Sequence, residues 1–168
     1  NSSTINQDIL NAINKYIDSK VAFDTTLEYS RLSSAIDSSN KNILSNTINF
    51  ILIKNVSKSS YITNFNNSIL KGSLNSESFS YNNFNNCKFI DKDGIIQIVT
   101  SLQNDSEFVV QPQIGEINYE SGTINFDATK FQNNDSIKIY VKPSSYNLTN
   151  SRNGIINISD VKINLIKN

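Results

Sequence analysis

Apolar residues recur every fourth position at the start of the chain: Ile5, Ile9, Ile13 and Ile17, with Leu10 and Tyr16 beside them. That spacing lines one face of an α-helix and predicts a helix over residues 4–18. Thr4 followed by Gln7 has the residue types of a capping box, in which side chains satisfy the amides that a first helical turn leaves unpaired. A looser stripe follows, made of Phe23, Leu27, Leu32, Ala35 and Ile36, with Asp24 placed to cap it. It predicts a second helix over 23–40, continuous or broken near Tyr29.

Beyond Asn40 the period changes from helical to alternating. TINFILIKNV (47–56) is Ile-rich on both faces and predicts a strand covered on both sides. FIDKDGIIQIVT (89–100) predicts a hairpin turning at Asp93-Gly94, and residues 106–113 a short strand with Pro112 near its end. In IGEINYESGTINF (114–126), Ile117 and Tyr119 share a face and the chain turns at Glu120-Ser121-Gly122. Ile124 and Phe126 then return to that face. Gly122 is placed to supply the positive φ of a three-residue loop. Ile137, Ile139 and Val141 alternate in 136–143, as do Val161, Ile163 and Leu165 in 159–166.

These elements predict an α+β fold, with N-terminal amphipathic helices followed by a mainly antiparallel β-sheet with hairpins. The change of period near residues 57–61 predicts a helical segment with one buried strand, 1–57, and an antiparallel β module, 58–168.

Composition changes the picture chiefly by subtraction. The 168 residues include 28 Asn, 25 Ile and 25 Ser. Asn and Ile have AT-rich codons, so the bias reads as base composition before it reads as chemistry. Seven Asn-x-Ser/Thr sequons are close to what such a mix yields by chance. Fifteen basic residues balance fifteen acidic ones, so no field for nucleic acid is implied, and no run of about 18 apolar residues predicts a spanning helix. Neither nucleic acid nor membrane is expected as a partner. The chain has no His and one Cys, which removes imidazole bases, the usual zinc sets and internal disulfides. Asn1 is not an initiator Met, so a processed product or a piece of a longer chain is expected.

The candidate chemical groups each have a plainer reading. Asp91 and Asp93 in DKDG resemble the start of a calcium loop, but an apolar strand follows Gly94 where further oxygen ligands would be needed, so a hairpin turn is expected. Glu116 and Glu120 form a conceivable acid and base pair, although alternate polar positions on a strand usually serve solubility. Cys87 has no His to activate it and reads as a semi-buried strand residue. Tyr61, Phe65, Phe79, Tyr81, Phe84 and Phe89 lack the interleaved cations of a single-strand nucleic-acid platform, and core packing is the expected role. No enzymatic activity, metal or cofactor is expected.

The order of segments adds a family-level reading. YSRLSSAIDSSNKNILSN (29–46), the GxIxYxxG hairpin of Gly115, Ile117, Tyr119 and Gly122, and VKPSSYNLTNSRNGII (141–156) with Arg152-Asn153 follow one another in that order. Together with the first helix, they resemble the C-terminal part of the baseplate wedge protein of contractile-tailed phages, a group related to baseplate J-like proteins. The resemblance touches most of the chain. It implies a virion scaffold that is assembled in the host cytoplasm, pairs with a second copy and links neighbouring wedge subunits into a ring around the tail tube. No catalytic residue carries over.

On that reading Ile5, Ile9, Ile13 and Ile17, together with Tyr29, Arg31, Leu32 and Ile36, are candidate interface residues. The GxIxYxxG hairpin and Arg152-Asn153 are expected to stabilise the β module. The Asn- and Tyr-bearing loops leave a carbohydrate-binding or adhesin module as an alternative, and a tail-associated hydrolase would require two close carboxylates in a cleft.

Overall fold

The computed structural model describes residues 2–20, 26–57, 60–101, 106–131, 136–149 and 161–166. Its elements run α1 (Ser2–Asp18), β1 (Thr26–Leu27), α2 (Tyr29–Asp37), β2 (Leu52–Val56), β3 (Ile62–Asn64) and β4 (Asn75–Ser76). They continue with β5 (Phe79–Tyr81), β6 (Phe84–Lys92), β7 (Ile95–Ser101), β8 (Glu107–Asn118), β9 (Thr123–Phe126), β10 (Ile137–Val141) and β11 (Leu148–Thr149). The fold is α+β, with helices first and antiparallel strands after them.

Two compact units emerge: Asn1–Asn49 with Tyr146–Asn168, and Phe50–Ser145. The sequence division at 57 therefore differs from the structural one. Strand β2 pairs with β10 along its whole length and belongs to the sheet unit, whereas β11 returns to pair with β1 beside the helices. Pairing between segments far apart in the chain drew this boundary, and local periodicity does not report it.

In the helical unit α1 packs on α2, and both helices bury one stripe: Ile9 and Ile13 from the first, Leu32 and Ile36 from the second. Leu27 and Leu148 are buried with the β1–β11 pair. Polar contacts fix the ends of the packing. Tyr16 of α1 accepts a hydrogen bond from the Glu28 amide (3.0 Å), and Asn40 Nδ2 donates to Asp8 Oδ2 (2.7 Å).

The capping expectations need correction. Helix α1 begins two residues before Thr4, so Thr4 lies inside it, and Gln7 Nε2 donates instead to Asn11 Oδ1 one turn on (3.0 Å). Helix α2 begins only at Tyr29, after the extended pair Thr26–Leu27; Phe23 and Asp24 lie outside the described residues. Glu28 caps α2 without a side-chain bond, and the Tyr29 amide donates to Asn147 Oδ1 at 3.1 Å. A side chain 118 positions away thus satisfies an amide that the helix itself leaves unpaired.

The sheet unit contains a six-stranded sheet, β3-β9-β8-β7-β6-β5, and a three-stranded one, β2-β10-β4, all antiparallel. The inner faces share one apolar cluster. Val56, Ile137, Ile139 and Val141 come from the smaller sheet; Phe89, Ile96, Ile98, Ile124 and Phe126 come from the larger. Phe89, fully buried, lies 4.6 Å from Phe79, 5.0 Å from Phe126 and 5.5 Å from Phe131 by ring centroids. Such pairs add about 0.5–1.5 kcal/mol each beyond the area they bury.

The alternation expected for 136–143 and the Asp93-Gly94 hairpin are present. Ile137, Ile139 and Val141 are buried on β10, and Asp93 and Gly94 adopt φ of 50° and 86° between β6 and β7, as a two-residue hairpin turn requires. Three strand expectations are corrected. Residues 47–51 form no strand, and β2 is a sheet edge with Ile53 partly exposed, so it is not covered on both faces. Ile is so common here that it also occupies wet positions. Pro112 sits inside a twelve-residue strand, where the β7–β8 register slips between Ile96 and Ile98 and again between Ile98 and Val99. A bulge removes the need for the amide that proline lacks. Residues 161–166 form no strand, and Ile166 is 90% exposed.

Candidate interaction surfaces

The GxIxYxxG hairpin is built from close approaches. At Gly115, on β8, a Cβ would collide with the Asn125 carbonyl oxygen and with Phe126 Cα of the paired strand. Ile117 enters the apolar cluster. The loop between β8 and β9 has four residues, Tyr119 to Gly122, not three, and Asn118 Oδ1 accepts the amides of Glu120 (3.1 Å) and Ser121 (3.0 Å). Gly122 has the expected positive φ of 70°, and a Cβ there would also strike the Asn67 carbonyl oxygen. The second constraint arises from a loop 55 positions earlier and is invisible in the hairpin's own residues.

Tyr119 joins several parts of the sheet unit. Its hydroxyl donates to Asp91 Oδ2 (2.6 Å) and accepts from the Gly94 amide (2.8 Å), while the Gly94 carbonyl accepts from the Ile117 amide (2.9 Å). The Tyr119 carbonyl accepts from the Ile69 amide (2.7 Å), and that of Gly122 from the Phe65 amide (2.9 Å). Asp91 is buried and also accepts the amides of Gly72 and Leu74, both at 2.8 Å. Two hairpins and the 65–74 loop therefore meet at one phenol and one carboxylate. Burial, and then donation to Asp91, push the Tyr119 phenol up to about 12.

This geometry settles what the oxygens of Asp91 do: they receive two backbone amides and a phenol. Asp93 is half of the hairpin turn. Glu116 is exposed on β8 and Glu120 is exposed in the loop after it. Cys87 is fully buried on β6, deeper than its expected semi-buried position, and burial pushes its thiol above the ordinary value. Of the expected packing aromatics, Phe65 and Phe89 are buried and Tyr61, Phe79 and Tyr81 pack against the cluster. Phe84 departs from that pattern: it is partly exposed and lies 6.0 Å from the ring of Phe108, also exposed.

Among the candidate interface residues, the structure separates two sets. Ile9, Ile13, Leu32 and Ile36 are buried within the chain's own helical unit. Ile5, Ile17 and Tyr29 remain partly accessible, and Arg31 is well exposed while pairing with Glu28 (2.6 Å). A single apolar stripe looks the same in sequence whether its cover is an internal helix or a second molecule. Arg152 and Asn153 lie outside the described residues.

Sequence reasoning missed Asn147 as the partner of α2 and the exposed Tyr146, whose ring meets that of Tyr29 edge-on at 5.3 Å. The one local signal was an aromatic residue followed by Asn in a Ser-rich stretch. No protein-family model and no curated protein matches this sequence.

Proposed function

We propose that the chain is a structural, non-enzymatic subunit of a phage tail baseplate wedge. It pairs with a second copy and links neighbouring subunits into a ring around the tail tube, and its place is the virion tail baseplate after assembly in the host cytoplasm. The observation that carries the reading is the junction at Tyr119. The residues of the hairpin through which the chain resembles wedge proteins are committed to internal connections, joining two hairpins and a loop into one rigid module. A ring scaffold needs such modules, because an interface formed by a stiff surface loses less conformational entropy on assembly. The accessible residues Ile5, Ile17 and Arg31 of the helical unit supply the contact surface in this reading.

Co-expression with the cognate wedge subunits, followed by light scattering on the separated species, tests it. A homodimer or a stable complex with a wedge subunit is expected. A chain that stays monomeric at high concentration and forms no complex would refute the proposal.

A further inference from the structure

We infer that the helical unit carries a binding site for a neutral sugar ring, in an open cleft of about 430 Å³ lined by the Tyr29 and Tyr146 side chains. The inference stands apart from the wedge reading. Such a volume falls in the range of small-ligand sites and accommodates one pyranose ring or two.

The lining selects the chemistry. Tyr29 and Tyr146 meet at 5.3 Å between centroids with their planes 63° apart, so they form a corner, and Tyr146 is 73% exposed. An aromatic ring left this open offers a flat apolar face to the C–H face of a sugar, and its hydroxyl remains a polar handle. Ile48 completes the apolar floor, while Ser30, Thr47, Asn49 and Asn147 supply hydroxyls and amides around it. Among the described residues, no Asp, Glu, Lys or Arg lines the cleft. Recognition of a phosphate, a carboxylate or an ammonium group would want a charged partner, whereas hydroxyls and amides suit neutral hydroxyl groups.

The walls are held in place from three parts of the chain. The Tyr29 amide donates to Asn147 Oδ1 (3.1 Å), and the Ile48 amide donates to Tyr29 Oη (3.4 Å). Asn46 Nδ2 donates to the Ser33 carbonyl (2.9 Å) and to Asp37 Oδ1 (2.7 Å), tying the 46–49 segment to α2. The β1–β11 pairing, Leu27 with Leu148 and Thr26 with Thr149, fixes Tyr146 and Asn147 beside the helix start. A cleft assembled before the ligand arrives loses less affinity to ordering.

The test is an NMR titration of the whole chain with glucose, galactose and N-acetylglucosamine separately. Expected are saturable shifts from at least one sugar, confined to the amides of Ser30 and Thr47 to Asn49 and the Asn147 side chain. Tyr146→Ala should weaken that binding roughly tenfold, while Tyr146→Phe, which keeps the ring, should hold it within about twofold. Because Tyr146 is exposed, neither change threatens the fold. No saturable shift with any of the three sugars, shifts elsewhere, or equal affinity in Tyr146→Ala would overturn the inference.

Discussion

The Tyr119 hydroxyl donates to Asp91 Oδ2 at 2.6 Å across 28 positions of sequence, and the same oxygen of Tyr119 accepts from the Gly94 amide. Removing the hydroxyl takes one of two donors from Asp91 Oδ2, which keeps the Gly72 amide, and leaves the Gly94 turn amide without this acceptor. Hydrogen bonds to charged groups are worth about 1.5–3 kcal/mol, so Tyr119→Phe is expected to lower unfolding stability by about 2 kcal/mol. Urea unfolding checks this, with the slope unchanged. A double-mutant cycle with Asp91→Asn should return a coupling of about 1 kcal/mol or more; independent effects would mean that the two side chains do not act as a pair.

The same contact predicts an alkaline signature. Because the folded state raises the Tyr119 phenol from 10.0 to about 12, it favours the protonated form. The stabilisation is complete below pH 10 and is lost as the pH rises from 10 through about 12, where a phenolate would face the Asp91 carboxylate. Over that window the stability difference between the native chain and Tyr119→Phe should shrink. Parallel stability curves in that range would contradict the assignment.

Glycine substitutions separate two kinds of constraint. Gly72 has a positive φ of 70° with open space around it, so Gly72→Ala should cost about 1–2 kcal/mol, the ordinary cost of a left-handed conformation. Gly122→Ala adds a collision with the Asn67 carbonyl to the same φ, and Gly115→Ala drives a methyl group into the backbone of β9. Both should cost more than Gly72→Ala, by about 1–3 kcal/mol. Equal losses for all three in thermal unfolding would show that the close approaches have no consequence.

Cys87 offers a probe of the β module. Its side chain is fully buried and its thiol is shifted upward, so at neutral pH it should react with a thiol reagent only when the module opens. The expected result is slow labelling in buffer and immediate labelling in concentrated urea. Comparable rates in both would place the thiol at the surface.

What the sequence revealed was local, and what it concealed was distant. Asp93-Gly94 announced its turn because positive φ is a property of the residues themselves, and the alternation of Ile137, Ile139 and Val141 announced a strand with one wet face. Asp91 could be read as part of that turn, but its partners at Gly72, Leu74 and Tyr119 lie on a loop and a hairpin that only the fold brings near. The Ile stripe of α1 was legible as apolar and illegible as to its cover. For 161–166 the same Ile-rich alternation produced no strand, because period alone supplies no neighbour to pair with.

The division of the helical stripe gives a direct contrast. Leu32→Ala should destabilise the helical unit by about 2–5 kcal/mol, as loss of a buried leucine does. Ile17→Asn, at a partly accessible position, should leave the circular dichroism spectrum unchanged and weaken self-association. If Ile17→Asn instead unfolds the chain, Ile17 belongs to the internal core.

The wedge-subunit account is tested most directly by electron cryomicroscopy of contractile-tailed particles purified from cells that make this chain. The account predicts density for the α1–α2 unit and the two-sheet module within the baseplate ring, with Ile5, Ile17 and Arg31 at a contact with a second copy or a neighbouring wedge subunit. A baseplate resolved to side chains in which this chain has no place would contradict it.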